Sequence, residues 1–224
     1  HASNKDLTQL KSAYLSALVM AFALTIPASC GLVILAKPII KLIFEHGRFT
    51  GYDTLHTAEA LSFYAIGLFA YAAVKIVVPV FYALNDTKYP VIASFMAVVV
   101  NILVVTLTID HFQHKAIAFS TSITMIMNFI FLSLILYRKV EGYALGYLFK
   151  SLAKVLMASA VMGLIVYYMH GWLEGLWGHG LQPELFSLSI TIAFAGFAYL
   201  FLLYALRLKE WQVLAEKFIN RIRT

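Results

Sequence analysis

The sequence predicts an all-α, polytopic membrane protein with six spanning helices, and three observations carry that prediction. Hydrophobic residues make up 62% of the chain and charged residues only 12%, about half the charge of an ordinary soluble domain, and the mean hydropathy is +0.83. The apolar residues gather into six runs, each close to the roughly 20 residues that cross a hydrocarbon core. The Lys and Arg residues concentrate in alternate loops, as membrane topology requires. A length of 224 residues suits one modest domain of six spans with short loops.

The first span covers about 14–35, "YLSALVMAFALTIPASCGLVIL". Pro27 and Gly31 are expected to bend it, and a neighbouring helix or water must then satisfy the carbonyl that proline frees. The run "AKPIIKLIFEHG" is amphipathic but too short to cross. It predicts an interfacial helix over 37–46, ended by Gly47 at a C-cap position. Thr50 and Asp53 match a capping box that starts the next helix, and the second span covers about 58–81, with Lys75 and Pro79 inside it. In "LNDTKYP", Asn85 and Asp86 suit an Asx turn, and Pro90 opens the third span, 91–109. The fourth span, 116–137, holds Ser120, Thr121, Ser122, Thr124 and Asn128, a density that fits close helix packing. The fifth and sixth spans, 152–168 and 185–206, carry small residues at Ala158, Ser159, Ala160 and Gly163, and at Ala193, Ala195, Gly196 and Ala198. Residues 209–222 then set Trp211, Leu214, Phe218 and Ile222 opposite charges, predicting a second interfacial helix.

Six spans put both ends on one side. Of the 17 Lys and Arg residues, twelve flank that side, Lys37, Lys41, Arg48 and Lys115 flank the other, and Lys75 is left within the membrane. The positive-inside rule makes both ends cytoplasmic. The net charge of +6 therefore reflects topology, and nucleic acid is not expected as a partner. Cys30 is the single cysteine, so no intrachain disulfide forms. The opening "HASNKDLTQLK" has no initiator Met and no signal-peptide pattern, and reads as the later part of something longer.

Lys75 has the strongest physical claim to function. A Lys within a span costs about 2.5–3.5 kcal/mol on insertion scales. Three readings stay open: snorkelling toward the inner interface, a structural ion pair, or a cavity contact for an anion. Asn101 either lines a cavity or bonds a neighbouring helix. His56 and Glu59 share a helical face at i, i+3, but two ligands without a third make a weak centre, so no metal is expected. Asp53, His56 and Glu59 are the sole acid–base candidates for catalysis and capping explains their spacing, so no catalytic residue, enzyme activity or cofactor is expected. A cation-coupled antiporter of small molecules should bury an Asp or Glu, and the middles of spans two to six hold none.

The run "LIFEHGRFTGYDTLHTAEALSFYAIGLFAYAAVKIVVPVFYALNDTKYPV" resembles the MurJ/MviN family, the lipid II flippases of bacterial peptidoglycan synthesis. Phe44, Gly47, Phe49, Thr50 and Asp53 carry the likeness in the loop, followed by Ala60, Leu61, Tyr64, Gly67, Leu68, Lys75, Pro79, Phe81, Tyr82, Asp86, Thr87, Lys88 and Pro90. Beyond Val91 it lies in hydropathy and span order. The resemblance implies a fourteen-helix, two-lobe exporter of which this chain matches helices nine to fourteen, about half of a member. It implies a bacterial inner-membrane location and an N-terminal half of the same transporter as partner, with the family's cavity arginines in that half. The implied substrate is undecaprenyl-pyrophosphate-linked peptidoglycan precursor, lipid II, moved from inner to outer leaflet by alternating access. Coupling to an ion gradient or the membrane potential is likewise implied. On this likeness Lys75 is a cavity residue that attracts the pyrophosphate, Asp86 and Lys88 sit at an inner gate, and the last two helices form a lipid-tail groove open to membrane lipids. The alternatives are an antiporter of the same superfamily or a flippase for another lipid-linked oligosaccharide.

Overall fold

The structure is a computed structural model that describes residues 2–178 and 180–212. Its elements in chain order are α1 Ala2–Ile34, α2 Ala36–Phe44, α3 Gly51–Ala83, α4 Lys88–Phe112, α5 Lys115–Lys139, α6 Leu145–Trp177 and α7 Leu181–Ala205. Six of them are long and apolar enough to cross a membrane. They outrun the apolar runs because a helix continues into the interface, where water and caps satisfy its terminal amides and carbonyls. α2 is the short amphipathic element. Residues 209–212 are helical, and the rest of the expected 209–222 helix lies outside the described residues.

In space the long helices follow the order α4, α5, α3, α1, α6, α7, with α2 resting on α3 and α7. Two buried clusters hold this row together. Leu18, Phe22, Val77, Phe81, Leu132 and Leu136 knit α1, α3 and α5, and Val19, Val155, Met162, Leu188 and Leu203 knit α1, α6 and α7. α1 belongs to both. Outward faces stay apolar, as at Leu24, Phe95, Leu107 and Phe197, each at least 72% exposed, because lipid covers such faces as readily as protein does.

Small residues set the closest approaches. A Cβ on Gly67 would lie 2.7 Å from the Ser122 Cα, and the Ser122 hydroxyl donates to the Phe63 carbonyl at 2.6 Å, so α3 and α5 meet backbone to backbone. At Gly163 a Cβ would meet the Cys30 Sγ at 2.7 Å, which seats α6 on α1. Helix α1 runs unbroken through Pro27. That proline cannot donate to the carbonyl of Ala23, four residues back. The Tyr199 hydroxyl of α7 donates to that carbonyl at 2.7 Å instead.

Candidate functional site

Helix α3 turns one face away from both clusters. Tyr64, Tyr71, Lys75 and Tyr82 are exposed on it, and their spacings of seven, four and seven residues place them within about 40° around the axis. The Lys75 Nζ lies 4.8 Å from the Tyr71 ring centroid, a cation–π contact. Tyr71 is one turn nearer the start of α3, so the ammonium points away from the Asn85 end toward which snorkelling would carry it. Among the described residues no carboxylate pairs with it. Pro79, also exposed, withholds the amide that would bond the Lys75 carbonyl. An ammonium and a freed carbonyl thus share one uncovered stretch of an apolar helix.

A second concave feature runs beside α1. A groove of about 640 Å³ lies among α1, α6 and α7, with Leu24 and Gly31 on one wall and Gly196 and Tyr199 on the other. Met162 and Val166 line its base, Ile39 of α2 stands at one end, and Glu210 and Trp211 stand at the other. Its lining is almost wholly apolar. Small residues in the last two spans divide between roles here: Gly163 makes a close helix contact, whereas Ala195 and Gly196 leave the groove open. Sequence reasoning missed α1 as a wall, because nothing in its apolar run distinguishes groove from lipid.

The segment between α2 and α3 is tightly folded. Gly47 takes a positive φ of 64°, and the Phe44 and Phe49 rings lie 5.9 Å apart. The Asp53 carboxylate accepts from both the amide and the hydroxyl of Thr50 at 2.8 Å. The Thr54 hydroxyl reaches back to Glu45 at 2.6 Å. The loop residues Phe44, Gly47, Phe49, Thr50 and Asp53 therefore build a turn and cap that aim α3. At the same end Lys41 pairs with Glu184 at 2.9 Å, tying α2 to α7, and that carboxylate holds the Lys41 ammonium above its usual range.

His56 and Glu59 project from the first turns of α3, and the structure adds a third donor that sequence spacing did not reveal. His114, in the α4–α5 turn, brings its Nε2 to 3.9 Å from the Glu59 Oε2, while the His56 Nδ1 lies 3.4 Å from the same oxygen. Lys115 approaches that oxygen at 2.6 Å. The expectation of no metal rested on there being two ligands, and the fold brings three together.

At the opposite end Asp86 accepts from the Lys88 amide at 3.2 Å and pairs with Lys139 at the end of α5. The Lys139 ammonium holds the Asp86 carboxyl below the usual carboxylate range. Of the gate residues expected, Asp86 is thus bound to α5, and the Lys88 side chain is exposed. Asn101 donates to the Ser120 hydroxyl at 3.3 Å, joining α4 to α5.

Comparison with known proteins adds a decisive observation. Residues 1–188 match the model of the family described as lipid II flippase MurJ. The chain belongs to the MurJ family. It is 32% identical over 203 residues to a probable lipid II flippase MurJ of Rickettsia prowazekii, covering 88% of this chain and 40% of the relative. A probable lipid II flippase MurJ of Buchnera aphidicola subsp. Acyrthosiphon pisum is 32% identical over 191 residues, or 85% of this chain and 37% of the relative. A solved structure of lipid II flippase MurJ in an inward closed conformation superposes with a TM-score of 0.73 at 26% identity, over 88% of this chain and 39% of that one. The chain thus spans about 40% of the length of the MurJ relatives it matches. The fold is that of a multi-pass MurJ transporter, all-helical with six candidate spans.

Proposed function

We propose that this chain is the C-terminal portion of a lipid II flippase, moving undecaprenyl-pyrophosphate-linked peptidoglycan precursor from the inner to the outer leaflet by alternating access. One observation carries the reading beyond family membership. Lys75 presents an ammonium without a carboxylate partner, among the described residues, on an uncovered face of an apolar helix. A charge so placed, costing about 2.5–3.5 kcal/mol to insert, is suited to attract a pyrophosphate as a point charge. In this reading the uncovered α3 face looks into a central cavity completed by the N-terminal half of the same transporter. The apolar groove beside α7 takes the polyprenyl tail, which stays in lipid. The α2 end faces outward, both ends of the chain face the cytoplasm of an inner membrane, and Asp86 with Lys139 lies near the inner gate. Coupling to an ion gradient or the membrane potential supplies direction. Differential affinity for the substrate in the inward-open and outward-open states does the work, with no bond made or broken.

The test is complementation of a cell depleted of its own lipid II flippase by the full-length parent protein, with membrane levels matched. Growth with Lys75 and with Lys75→Arg, but not with Lys75→Ala, is the expected result. Rescue by all three leaves flippase activity standing and removes the lysine from it. Rescue by none points to another lipid-linked substrate or to an antiporter.

A further inference from the structure

His56, Glu59 and His114 lie at the end of the bundle away from the Asp86 turn and outside the Lys75 face and the groove. Their donor atoms all fall within 4.8 Å of one another. Two structural units hold them. His56 and Glu59 are one turn apart on α3, which the Thr50–Asp53 cap starts. His114 follows Gln113, whose φ of 49° turns the chain sharply between α4 and α5. The turn is seated one helical turn below by Phe63, Phe112 and Phe119, whose ring centroids lie 5.2–5.9 Å apart. The His114 ring meets the His56 ring edge-on at 4.5 Å, and the Tyr52 ring also packs edge-on with His56, at 4.1 Å.

Two features mark this cluster as more than a surface ion pair. Both ring nitrogens of His56 are shielded from solvent; Nδ1 faces the Glu59 carboxylate at 3.4 Å, and Nε2 has no hydrogen-bond partner among the described residues. Buried polar atoms are seldom left so. In addition, two imidazoles and one carboxylate form the donor set of zinc-class ions. Bonds of about 2.0–2.2 Å in a tetrahedral site separate ligand atoms by roughly 3.3 Å. The His56–Glu59 pair already has that spacing at 3.4 Å, whereas His114, on an exposed turn, has to close by less than about 1 Å on Glu59 from 3.9 Å and by up to about 1.5 Å on His56, the donor atoms lying within 4.8 Å of one another. The Lys115 ammonium at 2.6 Å from Glu59 competes for the same oxygen and must swing aside, which its long stem permits.

We propose that His56, Glu59 and His114 form a site for a divalent transition-metal ion of the zinc class, with a fourth position left to water. The ion clasps the start of α3 to the α4–α5 turn. Glu59 then exchanges one cation, Lys115, for another. The site is independent of the transport reading, because none of its residues lies on the Lys75 face or in the groove.

The experiment uses the full-length parent protein, purified in detergent with any affinity tag removed, and titrates it with Zn²⁺ and with Co²⁺. One equivalent of Zn²⁺ should bind, and Co²⁺ should give visible ligand-field absorption that Zn²⁺ abolishes. His114→Ala should weaken binding more than tenfold, and Lys115→Ala, which removes the competing cation at an accessible position, should tighten it severalfold. Melting curves without metal should match the unaltered protein for both variants. An absence of ligand-field absorption overturns the proposal, as does Zn²⁺ affinity unchanged by both His56→Ala and His114→Ala.

Discussion

Replacing Tyr199 by Phe removes one oxygen atom and, with it, the donor that serves the carbonyl freed by Pro27. The Tyr199 hydroxyl lies 2.7 Å from the Ala23 oxygen in a fully buried bond, and Tyr199 is 5% exposed. A buried carbonyl left without a donor costs about 1–3 kcal/mol. Interhelical hydrogen bonds within membranes average nearer 0.6 kcal/mol and reach about 1.7, so the loss should be about 1–2 kcal/mol. The same substitution in a Pro27→Ala background should cost only a few tenths. Residue 27 then carries an amide for the Ala23 carbonyl, and the tyrosine becomes redundant. The coupling between the two sites is therefore about 1 kcal/mol, measurable by a double-mutant cycle. Reversible unfolding of the purified protein in mixed micelles of rising denaturing-detergent fraction would supply the free energies. Tyr204→Phe, at a residue 60% exposed on the same helix, serves as the control and should change stability by less than about 0.5 kcal/mol. Equal costs of Tyr199→Phe in the two backgrounds would refute the idea that tyrosine replaces the missing amide.

Gly67→Ala should destabilise the α3–α5 pair by about 2–4 kcal/mol, combining overpacking of about 1–3 with loss of a hydrogen bond of about 1. The added Cβ would lie 2.7 Å from the Ser122 Cα, about 0.7 Å inside the 3.4 Å where ordinary contact begins. Gly171→Ala, with nothing within 4 Å of its Cβ, should be neutral or stabilising, and thermal melting of both in detergent distinguishes a packing contact from a general intolerance of alanine. The Asp86–Lys139 pair has a definite pH sign: a carboxylate with a depressed folded-state pKa contributes above its ordinary value of 3.8 and loses that contribution as pH falls through the lower folded value. Melting temperature should therefore fall on acidification below about pH 4 less steeply in Asp86→Asn than in the unaltered protein, and parallel curves would show the pair to be inert.

The number of spans, the amphipathic α2, the turn at Gly47 and the cap at Thr50 and Asp53 were legible in the sequence because each rests on local rules. A run of about 20 apolar residues has few other stable environments, and a capping box closes within four residues. Lys75 stood out for the same reason, since one charge in an apolar run needs no partner to be conspicuous. Partnerships between distant residues were not legible. Tyr199 with Ala23, Lys139 with Asp86 and His114 with Glu59 join residues 176, 53 and 55 positions apart, and no period or spacing encodes them. The α1 wall of the groove was hidden too, because its face toward the groove is as apolar as its face toward lipid. The sequence by itself thus determined which segments enter the membrane and which single cation goes with them. Only the tertiary structure decided which faces remain uncovered and which polar atoms meet, because in lipid the apolar faces of a helix are energetically alike and packing geometry alone chooses among them.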